Sequence, residues 1–125
     1  MSNAGIFTRL DTVLLRVRDF QMSKTWYEEK LGFVASYVSE EEKLAVFDMG
    51  GSASFTIWQL KPGEQLVTGG ANGTFPIFLA EDAASIRERM KSMGIKVEDI
   101  QESGSVHSFG FFDPDGNRLE VCQVS

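Results

Sequence analysis

A single carboxylate, Glu120, stands among apolar neighbours in the stretch FGFFDPDGNRLEVCQ, residues 109–123. A carboxylate facing apolar side chains loses water, and that loss raises its pKa. Such a group is either a general base near neutral pH or a costly burial that needs a partner. Strand alternation puts Arg118 and Cys122 on the same side as Glu120. Arg118 or Arg16 has the charge to neutralise Glu120 or to capture an anionic ligand group. The plainer expectation places both arginines at strand ends in solvent. His107 is the only histidine, and it is expected to be a surface or satisfied residue rather than a ligand or base. Cys122 is the only cysteine. It reads as a small buried filler, since no histidine partner for a thiolate is evident.

The elements that must position these residues follow from pattern. Asp-Pro-Asp-Gly-Asn (113–117) is turn chemistry: Pro114 presets its φ, Gly116 accepts positive φ, and the aspartates bond nearby backbone. Residues 10–18 read as a buried strand, 21–32 as a helix closed by Gly32, and 33–39, 43–49 and 53–60 as three further strands. Glu40–Glu42 form a solvated hairpin tip. Met22, Trp26 and Tyr27 are expected in the core. Residues 61–73, KPGEQLVTGGANG, have four glycines and few apolar residues and read as a linker. The pattern then restarts: strand 74–81, helix 83–94 closed by Gly94, and strands 95–100, 106–112 and 118–124. VRDF answers AEDA, LGF answers MGI and VFDMGG answers FFDPDG, with equivalents 62 to 65 residues apart. The expectation is an α+β fold made of two tandem βαβββ units, 8–60 and 74–124, in one domain spanning 8–124. Two such units side by side can curve their sheets around a central cup, with the helices outside.

The stretches LRVRDFQMSKTWYEEKLGF (15–33) and FGFFDPDGNRLEV (109–121), together with the repeat, resemble the vicinal oxygen chelate superfamily. That superfamily contains glyoxalases, extradiol dioxygenases, fosfomycin-modifying enzymes and bleomycin resistance proteins. The resemblance implies four metal-ligand positions, on the first and last strand of each unit. Here they fall on Thr12, Thr56, Phe75 and Glu120. Only Glu120 is a ligand type suited to a divalent ion, since neutral Thr is a poor ligand and Phe has no donor. Phe55 is the neighbouring reading for Thr56, because two turn lengths differ by one residue.

These residues favour a small-molecule binding protein without a metal cofactor. Leu14, Trp58, Phe75 and Ile77 would make apolar contact with an apolar or aromatic compound, beside Thr12, Thr56 and Glu120. The alternative is a lyase, isomerase or dioxygenase-type enzyme using Glu120 as base or as ligand to a divalent metal, with His107 as a further ligand. A third reading is an interaction domain whose cup is filled by its own side chains. The net charge of −6 and the lack of a basic cluster argue against nucleic acid and mildly favour a cationic compound. No apolar run is long enough to span a bilayer. With no basic-then-apolar leader and a lone cysteine, a cytoplasmic protein is expected. Ser2-Asn3-Ala4 look like a cloning remnant. The resemblance also implies a homodimer.

Overall fold

The computed structural model describes residues 5–51, 53–68 and 72–124. The remnant at 2–4 and residues 69–71 of the linker lie outside them. The chain divides into two compact units, residues 1–66 and 67–125.

In the first unit, β1 (Thr12–Val17), α1 (Phe20–Leu31), β2 (Val34–Ser39), β3 (Leu44–Asp48) and β4 (Ser54–Gln59) follow in order. The sheet order is β1-β4-β3-β2. β1 runs parallel to β4, and the other pairs are antiparallel. Asp19 starts α1 because its carboxylate accepts from the Met22 N–H at 3.0 Å. Gly32 ends the helix at φ 71, a left-handed conformation that costs glycine little. One face of the sheet packs on α1 through an aromatic cluster. Tyr27 lies 5.2 Å from Phe55, 5.7 Å from Phe33 and 6.0 Å from Phe47, between ring centroids.

The buried stripe of α1 is Phe20, Ser23 and Tyr27, at i, i+3 and i+7. Met22, expected in the core, is 51% exposed. It falls on the opposite face once Phe20, rather than Gln21, opens the helix.

The second unit repeats the order with β5 (Ile77–Leu79), α2 (Ala83–Ser92), β6 (Gln101–Ser103), β7 (Val106–Phe112) and β8 (Arg118–Val124). Its sheet order is β5-β8-β7-β6. Asp82 caps α2 as Asp19 caps α1, accepting from the Ser85 N–H at 3.1 Å. Ala83, Met90, Ile95, Phe109, Phe111, Leu119 and Val121 are buried.

Two expected strands differ. β5 is only three residues long, since Pro76 has no N–H to donate and contributes only its carbonyl, to the Glu120 N–H at 3.0 Å. Residues 95–100 form no strand: they make one isolated bridge, Val97 to Phe111. The Glu98 N–H still donates to Gly110 at 2.8 Å. The Glu98 carbonyl instead accepts from Arg87 Nε at 2.8 Å, so the ladder stops there and resumes at Gln101.

Candidate functional site

The turn between β7 and β8 fixes where Arg118 and Glu120 point. Asp113 Oδ1 accepts from the backbone N–H groups of Asp115 and Asn117, each at 2.9 Å, and Oδ2 accepts from the Asn117 side-chain amide at 2.9 Å. Gly116 sits at φ 85, as the turn requires. The register that follows pairs Phe112 with Arg118 and Gly110 with Glu120. Phe109, Phe111, Leu119 and Val121 are buried, so alternation sends Gly110, Arg118 and Glu120 to the sheet face opposite α2.

On that face Arg118 is the hub. Its Nη1 donates to Glu120 Oε2 at 2.9 Å, its Nη2 to Glu98 Oε1 at 2.7 Å and its Nε to Glu98 Oε2 at 3.3 Å. The guanidinium carbon stands 4.7 Å from the centroid of the Phe75 ring, a cation–π contact. Arg118 and Glu120 side chains are only 11% and 17% exposed, so the expectation of a solvent-facing Arg118 is corrected. Burial next to a carboxylate draws the guanidinium inward. Beside Glu120 across the parallel β5 pairing stand Ile77 and, one step on, Leu79 next to Cys122. Ile77 is 57% and Leu79 81% exposed.

In the first unit, Thr12 and Thr56 share a hydroxyl–hydroxyl hydrogen bond of 2.7 Å, on the face opposite α1. Phe55 lies on the other face, against Tyr27. Leu14 and Trp58 lie on the Thr56 face by alternation. The Trp58 ring already carries two cations of its own chain, with Arg16 Cζ at 4.2 Å and Lys61 Nζ at 4.9 Å from the centroid. Arg16 also donates to Glu64 at 2.6 Å, clipping the turn after β4 back to β1. The Lys61 backbone N–H and then Arg16 hold the Glu64 carboxyl below its ordinary value.

His107 is paired with Glu102 at 3.9 Å. It shares strand parity with the buried Phe109 and Phe111, so it lies on the face opposite Glu120. The two do not converge on a common ligand. Of the four positions that the resemblance assigns to metal ligands, Thr12 and Thr56 are bonded to each other, Phe75 has no donor atom and Glu120 is paired with Arg118. This donor set does not fit a divalent ion. Among the described residues no group of three or more His, Cys, Asp or Glu is placed to hold one.

Glu98 and Gly110 belong to this cluster although neither was singled out by sequence. An isolated glycine inside the aromatic run FGF was the available signal, since glycine within a strand marks close approach. A Cβ at Gly110 would meet Arg118 Nη2 at 2.7 Å and Cζ at 2.8 Å, and Glu98 Oε1 nearer still.

The hydrogen bonds from Arg118 hold the Glu98 carboxyl below its ordinary value of 4.5, against a smaller opposing effect of burial. A carboxyl with a lowered folded pKa stabilises above its unfolded value, and that stability is lost as pH falls through the folded value. Urea unfolding should therefore lose stability as the pH falls from about 5 through the lowered folded value, and Glu98→Gln should lose less over the same descent. An equal loss in both proteins would exclude Glu98 as a contributor.

The family profile described as the Glyoxalase/Bleomycin resistance protein/Dioxygenase superfamily matches residues 9–121. The chain belongs to this superfamily. A comparison with curated proteins gives no match. Among solved structures of the superfamily fold, a putative glyoxalase family protein from Bacillus anthracis has a TM-score of 0.79 at 21% identity, with all of both chains covered. TnmS3, an antibiotic binding protein from a Streptomyces strain, gives 0.78 at 18% identity, covering 96% of this chain and 98% of its own. The fosfomycin resistance protein FosX from Listeria monocytogenes gives 0.77 at 17%, covering 96% of each. At these identities the likeness establishes the superfamily fold and not an activity. No described helix is long and apolar enough to cross a membrane.

Proposed function

We propose that this superfamily member is a small-molecule binding protein that holds an apolar or aromatic compound against the helix-free face of its second sheet, without a metal. The observation that carries this reading is the pairing of exposed apolar side chains, Ile77 and Leu79, with the part-buried Glu120. Covering Ile77 and Leu79 supplies hydrophobic affinity, and the carboxylate fixes orientation. The donor set at the family's ligand positions supports the metal-free part. The antibiotic-binding function printed for TnmS3 supports binding as a use of this fold. Leu14, 43% exposed on the first sheet, is a second apolar contact, while Thr56 is buried beneath it at 3%. We also read the protein as a cytoplasmic homodimer, the latter checked by sedimentation.

The test combines metal content and thermal shift. After incubation with Zn, Ni, Mn or Fe(II) and desalting, mass spectrometry should find far less than about one ion per chain. Aromatic compounds in a thermal-shift panel should raise the melting temperature of the native protein, and Leu79→Ser should reduce that rise. Stoichiometric metal would overturn the metal-free reading. A panel without hits, or a rise indifferent to Leu79→Ser, would overturn the placement of the ligand.

A further inference from the structure

The bonding of Arg118 carries a consequence for what the second face can accept. A guanidinium normally recognises carboxylates and phosphates through paired N–H groups. Here Nε and Nη2 are both taken by Glu98, Nη1 is bonded to Glu120 and the Phe75 ring stands 4.7 Å away. Glu98 does not belong to β7 or β8. Its carboxylate reaches Arg118 from the segment beside β7, passing Gly110, where any Cβ would block it. Glu120 keeps one oxygen in reserve: Oε2 accepts from Arg118, while Oε1 accepts from no described residue. The face therefore shows an open acceptor beside a guanidinium that is only 11% exposed and has its paired Nε/Nη2 edge occupied, next to the exposed Ile77 and Leu79.

We propose that Glu98, reaching through the notch at Gly110, determines the ligand class of this face. It occupies the paired Nε/Nη2 edge of Arg118, so the face takes a compound bearing an N–H or O–H donor beside an apolar body and rejects carboxylates and phosphates. The inference rests on the binding reading above. The donor of the ligand meets Glu120 Oε1, and its apolar part covers Ile77 and Leu79. An anion would meet two carboxylates that Arg118 and Lys96 already serve.

Benzylamine and benzoate share an apolar body and differ in charge and hydrogen-bonding sense. Methyl NMR of the native protein should show benzylamine shifting the Ile77 and Leu79 signals, with benzoate leaving them unmoved at the same concentration. In Glu98→Ala, Arg118 regains free N–H groups, and benzoate should gain roughly tenfold in affinity. Gly110→Ala should admit benzoate as well, because its Cβ would part the Glu98 carboxylate from the Arg118 guanidinium without removing either charge. Glu29→Ala, an exposed change on α1, alters net charge equally and should leave benzoate excluded. Benzoate binding the native protein as well as benzylamine, or gaining nothing in both Glu98→Ala and Gly110→Ala, would overturn the inference while leaving the binding reading intact. If neither compound shifts Ile77 or Leu79 in the native protein, the binding reading fails at this face and the inference fails with it.

Discussion

Replacing Tyr27 with alanine should remove about 3–5 kcal/mol of stability, the range for losing a large buried aromatic ring. Tyr27 has no exposed surface and touches four rings: Trp26 at 4.9 Å, Phe55, Phe33 and Phe47. Those rings come from α1, β3, β4 and the residue before β2, so one side chain joins the helix to its sheet. A domain holds only about 5–15 kcal/mol in total, so Tyr27→Ala should be largely unfolded at moderate urea. Tyr27→Phe keeps every ring contact and should cost about 1 kcal/mol. Urea unfolding followed by circular dichroism checks both. A loss in Tyr27→Ala no larger than in Tyr27→Phe would mean that the cluster refills the space.

Arg118→Met should cost about 3 kcal/mol, because removing one partner of a nearly buried pair strands the other charge. The burden falls on Glu120, whose side chain is 17% exposed. Glu98, 41% exposed, can turn to water and adds less. Adding Glu120→Gln to Arg118→Met should recover a measurable part of the loss, since the stranded charge is then gone. A double variant whose loss is the simple sum of the two singles would show that the pair is not coupled. The comparison also separates the burial of Glu120 from the contact of the Arg118 guanidinium with the Phe75 ring, which both variants lack.

Most of the architecture was legible because it rests on local signals. Asp19 and Asp82 cap helices that Gly32 and Gly94 close, and the turn at 113–117 has the residues its bonds demand. The placement of Thr56 away from the helix, with Phe55 toward it, follows from period-two alternation once the strand is anchored. The chemistry of the cluster was less legible. Arg118 was expected in solvent because a sequence does not show which charged residue a distant segment will supply. Glu98 comes from a stretch, IKVEDI, whose alternation resembles a strand, and its role depends on Arg87 diverting its carbonyl and on the missing side chain at Gly110. Trp58 illustrates the reverse. Its ring looked free for stacking, yet Arg16 and Lys61 of the same unit stand close over it.

β2 forms one edge of the first sheet. Its sequence, VASYVS, contains neither a lysine nor a proline, the usual guards against further strands joining an edge. Val34 and Tyr37 are 69% and 59% exposed, so the strand has the side chains of an aggregation template. Its pairing with β3 slips between Ala35 and Tyr37, leaving Ser36 as an extra residue whose hydroxyl donates to the Val46 carbonyl at 3.3 Å. Such a bulge bends and twists a strand and interrupts the even spacing that an incoming chain must match. Ser36 is thus the one surplus residue that breaks the even spacing of an otherwise unguarded edge.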